Sequence, residues 1–384
     1  MLCSGTLLIP KFLSAFEYAA AVPQTGRALV IIQLSGGNDG LNMFVPFRSD
    51  IYYKVRPTLA VKENNLIRMD DEMAFNAAIK PLQPLYDQGY LAVINSVGYP
   101  NPDLSHFKSM DIWHSASGSN QFIPSGWIGR YLDASCPGCP AHLAVEADDT
   151  LSFALKGEKV NGLAVKNPSL LYAATRDKHF QRNESAGITG NANLDFLYKV
   201  KSQTISSAEY LYDKSKIFKS SETYPVHELG KNLKMIAGLI ISGIETKVYY
   251  VSFSGFDTHS NQKGTQDNLM GILAESISAF TNDLKKNNRL NDTMVMIFSE
   301  FGRRVKQNVS GGTDHGTANN VCIISGRLAK KGFITPPPDL SDLDNGNLKH
   351  KTDFRSVYAT LLKKWLHADD EAILRNKFPM VDFI

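Results

Sequence analysis

The shortages in this sequence narrow the field before any motif does. Of 384 residues only four are cysteine, and of these only Cys136 and Cys139 stand close together. A structural zinc site would need a second ligand pair, which the sequence does not place nearby. Cys136-Pro-Gly-Cys139 therefore reads as a small disulfide loop of an exported protein or as two inert thiols, with a metal or redox role the less favoured alternative. Neither sign of charge is in excess. The 41 basic and 38 acidic residues leave a formal net charge of +3, too slight for a general nucleic-acid footprint, while specific anion binding stays open. No repeat or low-complexity tract stands out, and the apolar run near the start is far short of the ~20 residues that a membrane-spanning helix needs. With 43% hydrophobic and 21% charged residues, the chain is neither disordered nor fibrous in character.

The length permits two ordinary domains or one large α/β unit. The opening segment MLCSGTLLIPKFLSAFEYAAAVPQTG has a short apolar stretch followed by Ala19-Ala20-Ala21-Val22-Pro23, which looks like the small-residue end of an export signal. It has no basic region ahead of Leu7, and Lys11 interrupts the apolar run. Residues 1–26 thus read as a truncated export signal or as an N-terminal helix.

Further along, apolar runs alternate with helical patterns. Ala28 to Leu34 is almost unbroken in its hydrophobicity, as suits a strand covered on both faces. A helix is predicted from Ala77 to Gln88 and a second strand from Leu91 to Val97. Ser105 stands where a helix over His106 to His114 takes its N-cap. Residues 140–230 are the least regular, with short strand-like pieces near Leu143 and Leu163 and a helix from Asn193 to about Phe218, and suggest a cap or insertion. A helix from Glu228 to Ser242, a strand from Lys247 to Ser254, a helix from Gln266 to Lys286 and strands at Thr293–Ser299 and Val321–Ser325 follow. A helix over about Phe354 to His367 ends the chain. This order predicts an α/β three-layer sandwich with a mostly parallel central sheet, formed by residues 27–384 as a single domain.

Parallel sheets bind ligands at the carboxyl ends of their strands. The first strand ends in Gly37-Asn38-Asp39-Gly40, the third in Asp257-Thr258-His259 and the fourth in Ser299-Glu300-Phe301-Gly302-Arg303. Asp314 and His315 lie just before the fifth strand and reach the same edge if that strand is entered from the crevice side. Four carboxylates and two imidazoles gathered there would repel and titrate abnormally without a compensating cation. Asp39, Asp257, His259, Glu300, Asp314 and His315 are therefore the candidate metal ligands. Mixed Asp, Glu and His donors suit zinc, manganese or iron, and an all-oxygen subset could hold magnesium or calcium. Taken singly, the motifs have plainer readings: Asp39 as a turn residue, His259 as a hydrogen-bonded polar histidine, Asp314-His315 as a loop pair. Glu300 at the end of an apolar strand is harder to dismiss, because a carboxylate there needs a partner. Ser105 is the candidate nucleophile, since a helix N-terminus and a nearby cation both favour an oxyanion; its plainer reading is an N-cap. Arg303 and Arg304 read as a bidentate anion clamp or as solvated charges.

The series LSGGNDGLNMFVPF, VGYPNPDLSHFKSMDIWH, FSGFDTHSNQ, FSEFGRR and GTDHGTANN, in this order, resembles the bacterial domain-of-unknown-function family 1501, whose members are often exported by the twin-arginine route. That family is similar to the alkaline phosphatase and sulfatase superfamily. The resemblance implies a metal-bearing α/β fold, with Asp39 at the first-strand ligand position and Ser105 near the nucleophile. Asp257 and His259 look like the later Asp and His ligands, and His315 like the final histidine. Glu300 stands where the superfamily often begins an Asp-His pair, but Phe301 follows it, so a second metal requires His106 or Asp314 to substitute. The twin arginines themselves are absent from the opening segment.

The leading expectation is a metal-dependent hydrolase of phosphate or sulfate esters in the cell envelope. Its catalytic residues would be Ser105, His106 and Arg303, its cofactor a divalent metal with zinc or manganese favoured, and its substrate a small anionic ester or glycan. The location would be periplasmic or otherwise exported, with no nucleic acid bound and no membrane span. Two other readings share the site: a non-catalytic binding or assembly protein of the envelope that retains the metal and meets a protein partner, and a phosphomutase-like transferase.

Overall fold

The computed structural model describes residues 26–135, 138–181 and 190–384. The export signal or N-terminal helix expected over 1–26 lies outside these, except for its last residue. So does Cys136; Cys139 takes part in a disulfide, and Cys322 is free and buried.

The predicted first strand is β1, Ala28–Ser35, with seven of its eight residues buried. It alternates strictly across two cores: Val30, Ile32 and Leu34 point into one, Leu29 and Ile31 into the other. That is the pattern of a central strand covered on both faces. The other strands of its sheet are β2 (Leu91–Gly98), β3 (Ala144–Glu146), β4 (Leu163–Ala164), β5 (Val248–Ser254), β6 (Thr293–Phe298), β7 (Asn319–Ile324), β8 (Gly332–Phe333) and β9 (Thr352–Asp353). Their order is β8-β2-β7-β6-β1-β5-β3-β4, with β9 also paired to β2. Every pairing is parallel except those of β7, which runs antiparallel to both β2 and β6. The start of β7 therefore lies at the edge where β1, β5 and β6 end, the condition on which Asp314 and His315 could join the other motifs.

Helices α4 (Glu228–Ile241) and α5 (Gln262–Lys286) bury residues such as Leu233, Ile236, Met270 and Phe280 in the first core. Helices α1 (His106–Ser115), α2 (Trp127–Ser135) and α6 (Phe354–Thr360) fill the second with Trp113, Trp127 and Tyr358. The result is the three-layer α/β sandwich that the alternation predicts. Residues 140–230 add β3 and β4 to one sheet edge, and their long helix α3 (Ala192–Ser215) sets Leu211 into the first core.

Two helices depart from their predicted form. The stretch from Ala77 is a 3₁₀ turn to Leu82 and a short α-helix over Gln83–Asp87, because Pro81 and Pro84 supply no amide for a continuous ladder. The helix predicted over Phe354 to His367 is α-helical only to Thr360 and gives way to a π turn at Leu361–Trp365, where the buried Trp365 indole donates to Ala28 O at 3.1 Å.

Two histidines are sealed in the cores. His114 Nε2 lies 3.0 Å from Gln33 Oε1 and 3.1 Å from Tyr250 Oη, and His142 Nδ1 lies 3.0 Å from Ser207 Oγ. Burial pulls both pKa values down to about 4, whereas in the unfolded chain each titrates near 6.5. Below pH 6.5 the unfolded chain thus binds more protons, and stability falls with pH by up to ~1.4 kcal/mol per unit for each histidine. Burial pushes the Glu146 carboxyl up to about 7, so the folded chain holds an extra proton between about 4.5 and 7, which offsets one of the two. Urea titrations are expected to show stability highest near pH 6.5 and falling by ~1.4 kcal/mol per unit down to about pH 4.5. A flat profile from pH 6.5 to 4.5 would contradict this assignment.

Candidate metal centre

The turn after β1 is shaped by close approach. A Cβ on Gly36 would stand 2.5 Å from the Asp257 amide nitrogen, and one on Gly37 would stand 2.5 Å from the Phe301 ring. Both residues also have positive φ, 116° and 74°, which glycine adopts without strain. The bare backbone lets three strand ends crowd together. Glu300 fills the gap: it is 1% exposed, and its Oε1 accepts from Gly36 N at 2.8 Å.

Above this floor, three imidazoles face one carboxylate oxygen. Asp257 Oδ1 lies 3.0 Å from His259 Nε2, 3.1 Å from His315 Nε2 and 3.4 Å from His106 Nε2. His259 and His315 bring their Nε2 atoms within 2.9 Å of each other. Each ring turns its other nitrogen outward to an acceptor. His106 Nδ1 is 2.7 Å from Glu300 Oε1, His315 Nδ1 is 2.7 Å from Leu104 O, and His259 Nδ1 is 3.5 Å from Asp314 Oδ1. A carbonyl or ionised carboxylate can only accept, so each neutral ring carries its proton on Nδ1 and leaves an Nε2 lone pair aimed inward.

Burial works against the Asp257 charge, but the Arg303 guanidinium, which donates to its Oδ1, outweighs it together with the neighbouring imidazoles and brings its pKa down to about 2. The hydrogen bond to Glu300 raises the His106 pKa against the effect of burial. At Asp314, the hydrogen bond from the Asn308 amide holds the carboxyl below its ordinary value.

The donor set fits a divalent metal. His106, Asp257 and His315 each offer a ligand atom, all within 4.8 Å of one another. His106 Nε2 is buried and makes no hydrogen bond of its own. The separations among the inward atoms are comparable with the roughly 3.3 Å between ligand atoms about a tetrahedral zinc with bonds of about 2.0–2.1 Å. The outward contacts are the carboxylate and carbonyl partners that metal-ligating histidines use to fix their tautomer.

Of the sequence candidates, Asp257, His259 and His315 meet here. Glu300 and Asp314 stand behind His106 and His259 as their acceptors, with Glu300 sealed beneath the rings. Asp39 is elsewhere. It is 0% exposed, its Oδ2 accepts from Arg56 Nη1 at 2.6 Å and Gln262 Nε2 at 2.5 Å, and no contact joins it to the imidazoles. Its Oδ1 makes no hydrogen bond, and Asp39 helps line a cavity of about 10 Å³, room for about one water.

Arg303 also differs from the anion clamp expected of it. Its side chain is fully buried. It donates to the carbonyls of Gly37 (2.6 Å), Thr313 (2.8 Å), Phe256 (2.9 Å) and Gly36, and to Asp257 Oδ1 (2.8 Å). The guanidinium therefore braces the strand ends from below instead of reaching an anion above. Arg304 Nη2 donates to Asn345 O at 3.1 Å.

Ser105 is the N-cap of α1, with an exposed side chain that makes no capping bond. Its neighbours hold it beside the cluster, since Leu104 O receives His315 and His106 is itself a member. Phe301 stands where the family resemblance leads one to expect a histidine, and its ring centre lies 4.7 Å from that of His106 and 4.8 Å from that of His315. His106 thus brings an imidazole against this position from another element. The sequence reading missed Arg56, which sits in a loop 17 residues from its partner with no motif around it.

No curated protein matches the sequence. Among solved structures it is similar to the lipoteichoic acid synthase LtaP from Listeria monocytogenes, with 12% identity, 83% of this chain and 69% of that chain covered, and a TM-score of 0.35. It is similar also to the C-terminal periplasmic domain of EcEptC from Escherichia coli, with 11% identity, 91% and 86% covered, and a TM-score of 0.40. A third is the PsFucS1 sulfatase from Pseudoalteromonas sp., with 10% identity, 97% and 74% covered, and a TM-score of 0.40. Among the described residues no helix is long and apolar enough to cross a membrane. Residues 201–375, which carry three of the five motifs, match the family model described as "Protein of unknown function (DUF1501)", the family that the motifs resemble.

Proposed function

We propose that His106, His259, His315 and Asp257 hold one divalent metal, zinc or manganese in preference to magnesium or calcium, and that the chain hydrolyses phosphate or sulfate esters in the cell envelope. The observation that carries this reading is the 2.9 Å approach of His259 Nε2 to His315 Nε2, with both Nδ1 atoms turned to acceptors. Two lone pairs so close repel unless a proton or a cation lies between them. Three nitrogens and one oxygen favour zinc-like ions over the hard cations, which prefer oxygen.

A bound divalent ion would supply Lewis acidity, withdrawing charge from a phosphoryl or sulfuryl oxygen. The chain supplies the rest. Ser105 presents an exposed hydroxyl at the positive end of α1, where the helix dipole favours the alkoxide. Glu300 holds His106 and Asp314 faces His259, so the imidazoles stay aimed at the metal. Export to the periplasm, which the family resemblance implies, would place the chain among envelope esters.

The test is metal analysis joined to turnover. Purified protein is expected to carry a single equivalent of metal and to hydrolyse p-nitrophenyl phosphate or p-nitrophenyl sulfate, with chelation abolishing both. Turnover that survives complete chelation would overturn the reading. Glu300→Gln offers a finer check, because an amide is a weaker acceptor for His106 Nδ1–H; metal affinity is expected to fall ~10–100-fold, as measured by competition with a chromogenic chelator.

One observation favours a second reading, that of an envelope binding or assembly module with its own protein partner. Arg303 is wholly committed to backbone carbonyls and Asp257, so the cluster has no guanidinium from this position for a transition-state anion. Metal bound at one equivalent without hydrolysis of any ester would select this alternative.

A further inference from the structure

Beside the cluster lies a second concavity that the reading above leaves unused. It has a volume of about 260 Å³, and its lining includes Tyr99, Asn101, Phe301, Thr317, Asp344 and His350. It adjoins the imidazoles in two ways. Phe301 is one of its walls, and the same ring packs on His106 and His315. Residues 99–102 are joined through Asp103 alone to the segment Leu104-Ser105-His106. A molecule whose reacting end met Ser105 would thus have this cavity next to it.

The lining chemistry limits what could enter. Lys349 also borders the cavity, but its ammonium is paired with Asp342. Burial lowers the His350 pKa, which keeps its imidazole uncharged at neutral pH, and Asp344 adds a negative charge. Such a wall repels a second anion. Its remaining polar groups are the amide of Asn101 and the imidazole of His350, since the Thr317 hydroxyl already donates to Leu348 O, beside apolar walls that include Tyr99 and Phe301. A few placed hydrogen-bonding groups among apolar walls suit a small neutral ligand. Hydroxyls that both donate and accept match amide and imidazole, while the C–H groups of a sugar ring suit the apolar part of the lining.

We propose that this cavity receives the uncharged, hydroxyl-bearing alcohol part of the ester, a sugar ring, while the anionic group lies at the metal cluster. The proposal rests on the hydrolase reading for its kinetic consequence but not for binding itself, and the two can be tested apart.

Asn101 is exposed with φ of 52°, so Asn101→Gly removes the amide without strain. Combined with His350→Ala it should delete two hydrogen bonds. KM for hexose 6-phosphates or 6-sulfates is expected to rise ~10-fold, with kcat/KM for p-nitrophenyl phosphate and the metal content unchanged. If His350→Ala proves unstable in thermal melts, Asn101→Gly alone should raise KM for the sugar esters several-fold. An equal effect on both substrate classes, or none on either, would overturn the proposal.

The binding arm uses methyl glucopyranoside and methyl galactopyranoside, followed by saturation-transfer NMR on the wild type after chelation. Transfer to a pyranoside that is lost in the variant supports the cavity even if no ester is turned over, in which case the hydrolase reading alone fails. Ester turnover together with no pyranoside contact, or contact undiminished in the variant, leaves the hydrolase reading standing and removes the sugar subsite.

Discussion

Ser105→Ala is expected to lower ester turnover by on the order of 10⁴-fold or more while the protein keeps its metal, whereas His315→Ala should lose both. The contrast follows from where the two side chains stand. Ser105 contributes an exposed hydroxyl that makes no capping bond, so its removal disturbs no contact of the cluster. His315 is in the middle of the cluster: its Nε2 lies 3.1 Å from Asp257 and 2.9 Å from His259, and its Nδ1 meets Leu104 O at 2.7 Å. Without that ring, one ligand is missing, His259 loses its neighbour, and the 104–106 segment is no longer tied to the cluster. Metal stoichiometry and p-nitrophenyl ester kinetics on the two variants separate the roles. Undiminished turnover in Ser105→Ala would remove the serine from the mechanism, and full metal content in His315→Ala would remove the histidine from the ligand set.

Arg56→Met should destabilise the fold by ~3–5 kcal/mol, the usual cost of leaving a buried charge without its partner. Both side chains of the Arg56–Asp39 pair are essentially unexposed, at 0% and 1%. The guanidinium also donates to Asn42 Oδ1 at 2.8 Å, Val305 O at 2.8 Å and Arg304 O at 2.9 Å, so it ties the first strand's turn to the segment that follows Arg303. Urea unfolding would measure the loss. Adding Asp39→Asn to Arg56→Met should restore part of it, because the uncompensated negative charge is then gone. If the double variant were no more stable than Arg56→Met, charge burial would not be the cause. The pair also explains why Asp39 reads convincingly as a ligand in sequence yet lies apart in the fold: a buried carboxylate after a strand demands a cation, and an arginine answers that demand as well as a metal does.

Five strands of the sheet were legible because they are long, largely buried and so appear as nearly unbroken apolar runs. Their bounds agree with the predicted ones to within about two residues, from Ala28–Ser35 to Asn319–Ile324, whereas the two-residue strands Gly332–Phe333 and Thr352–Asp353 are too short to leave a pattern. Helix α1 was legible from its cap, and α4 and α5 from their spacing. The prolines at 81 and 84 show the limit of apolar spacing as a guide, since the spacing continued through a stretch whose backbone could not follow.

By itself the sequence determined the alternation of strands and helices, the edge at which Asp257, His259, Glu300 and Ser105 would gather, and the family its motifs resemble. These follow from local pattern, because a strand's end sets the edge its loop occupies. Tertiary structure decided which way each side chain turns there and what it meets. The antiparallel course of β7 brought His315 to Asp257. The crowding of glycine backbone beneath Phe301 seated Glu300 below His106 and made it an acceptor for that ring, and long-range pairing gave Asp39 to Arg56. Such outcomes depend on contacts between residues as many as 264 positions apart, and no local periodicity records them.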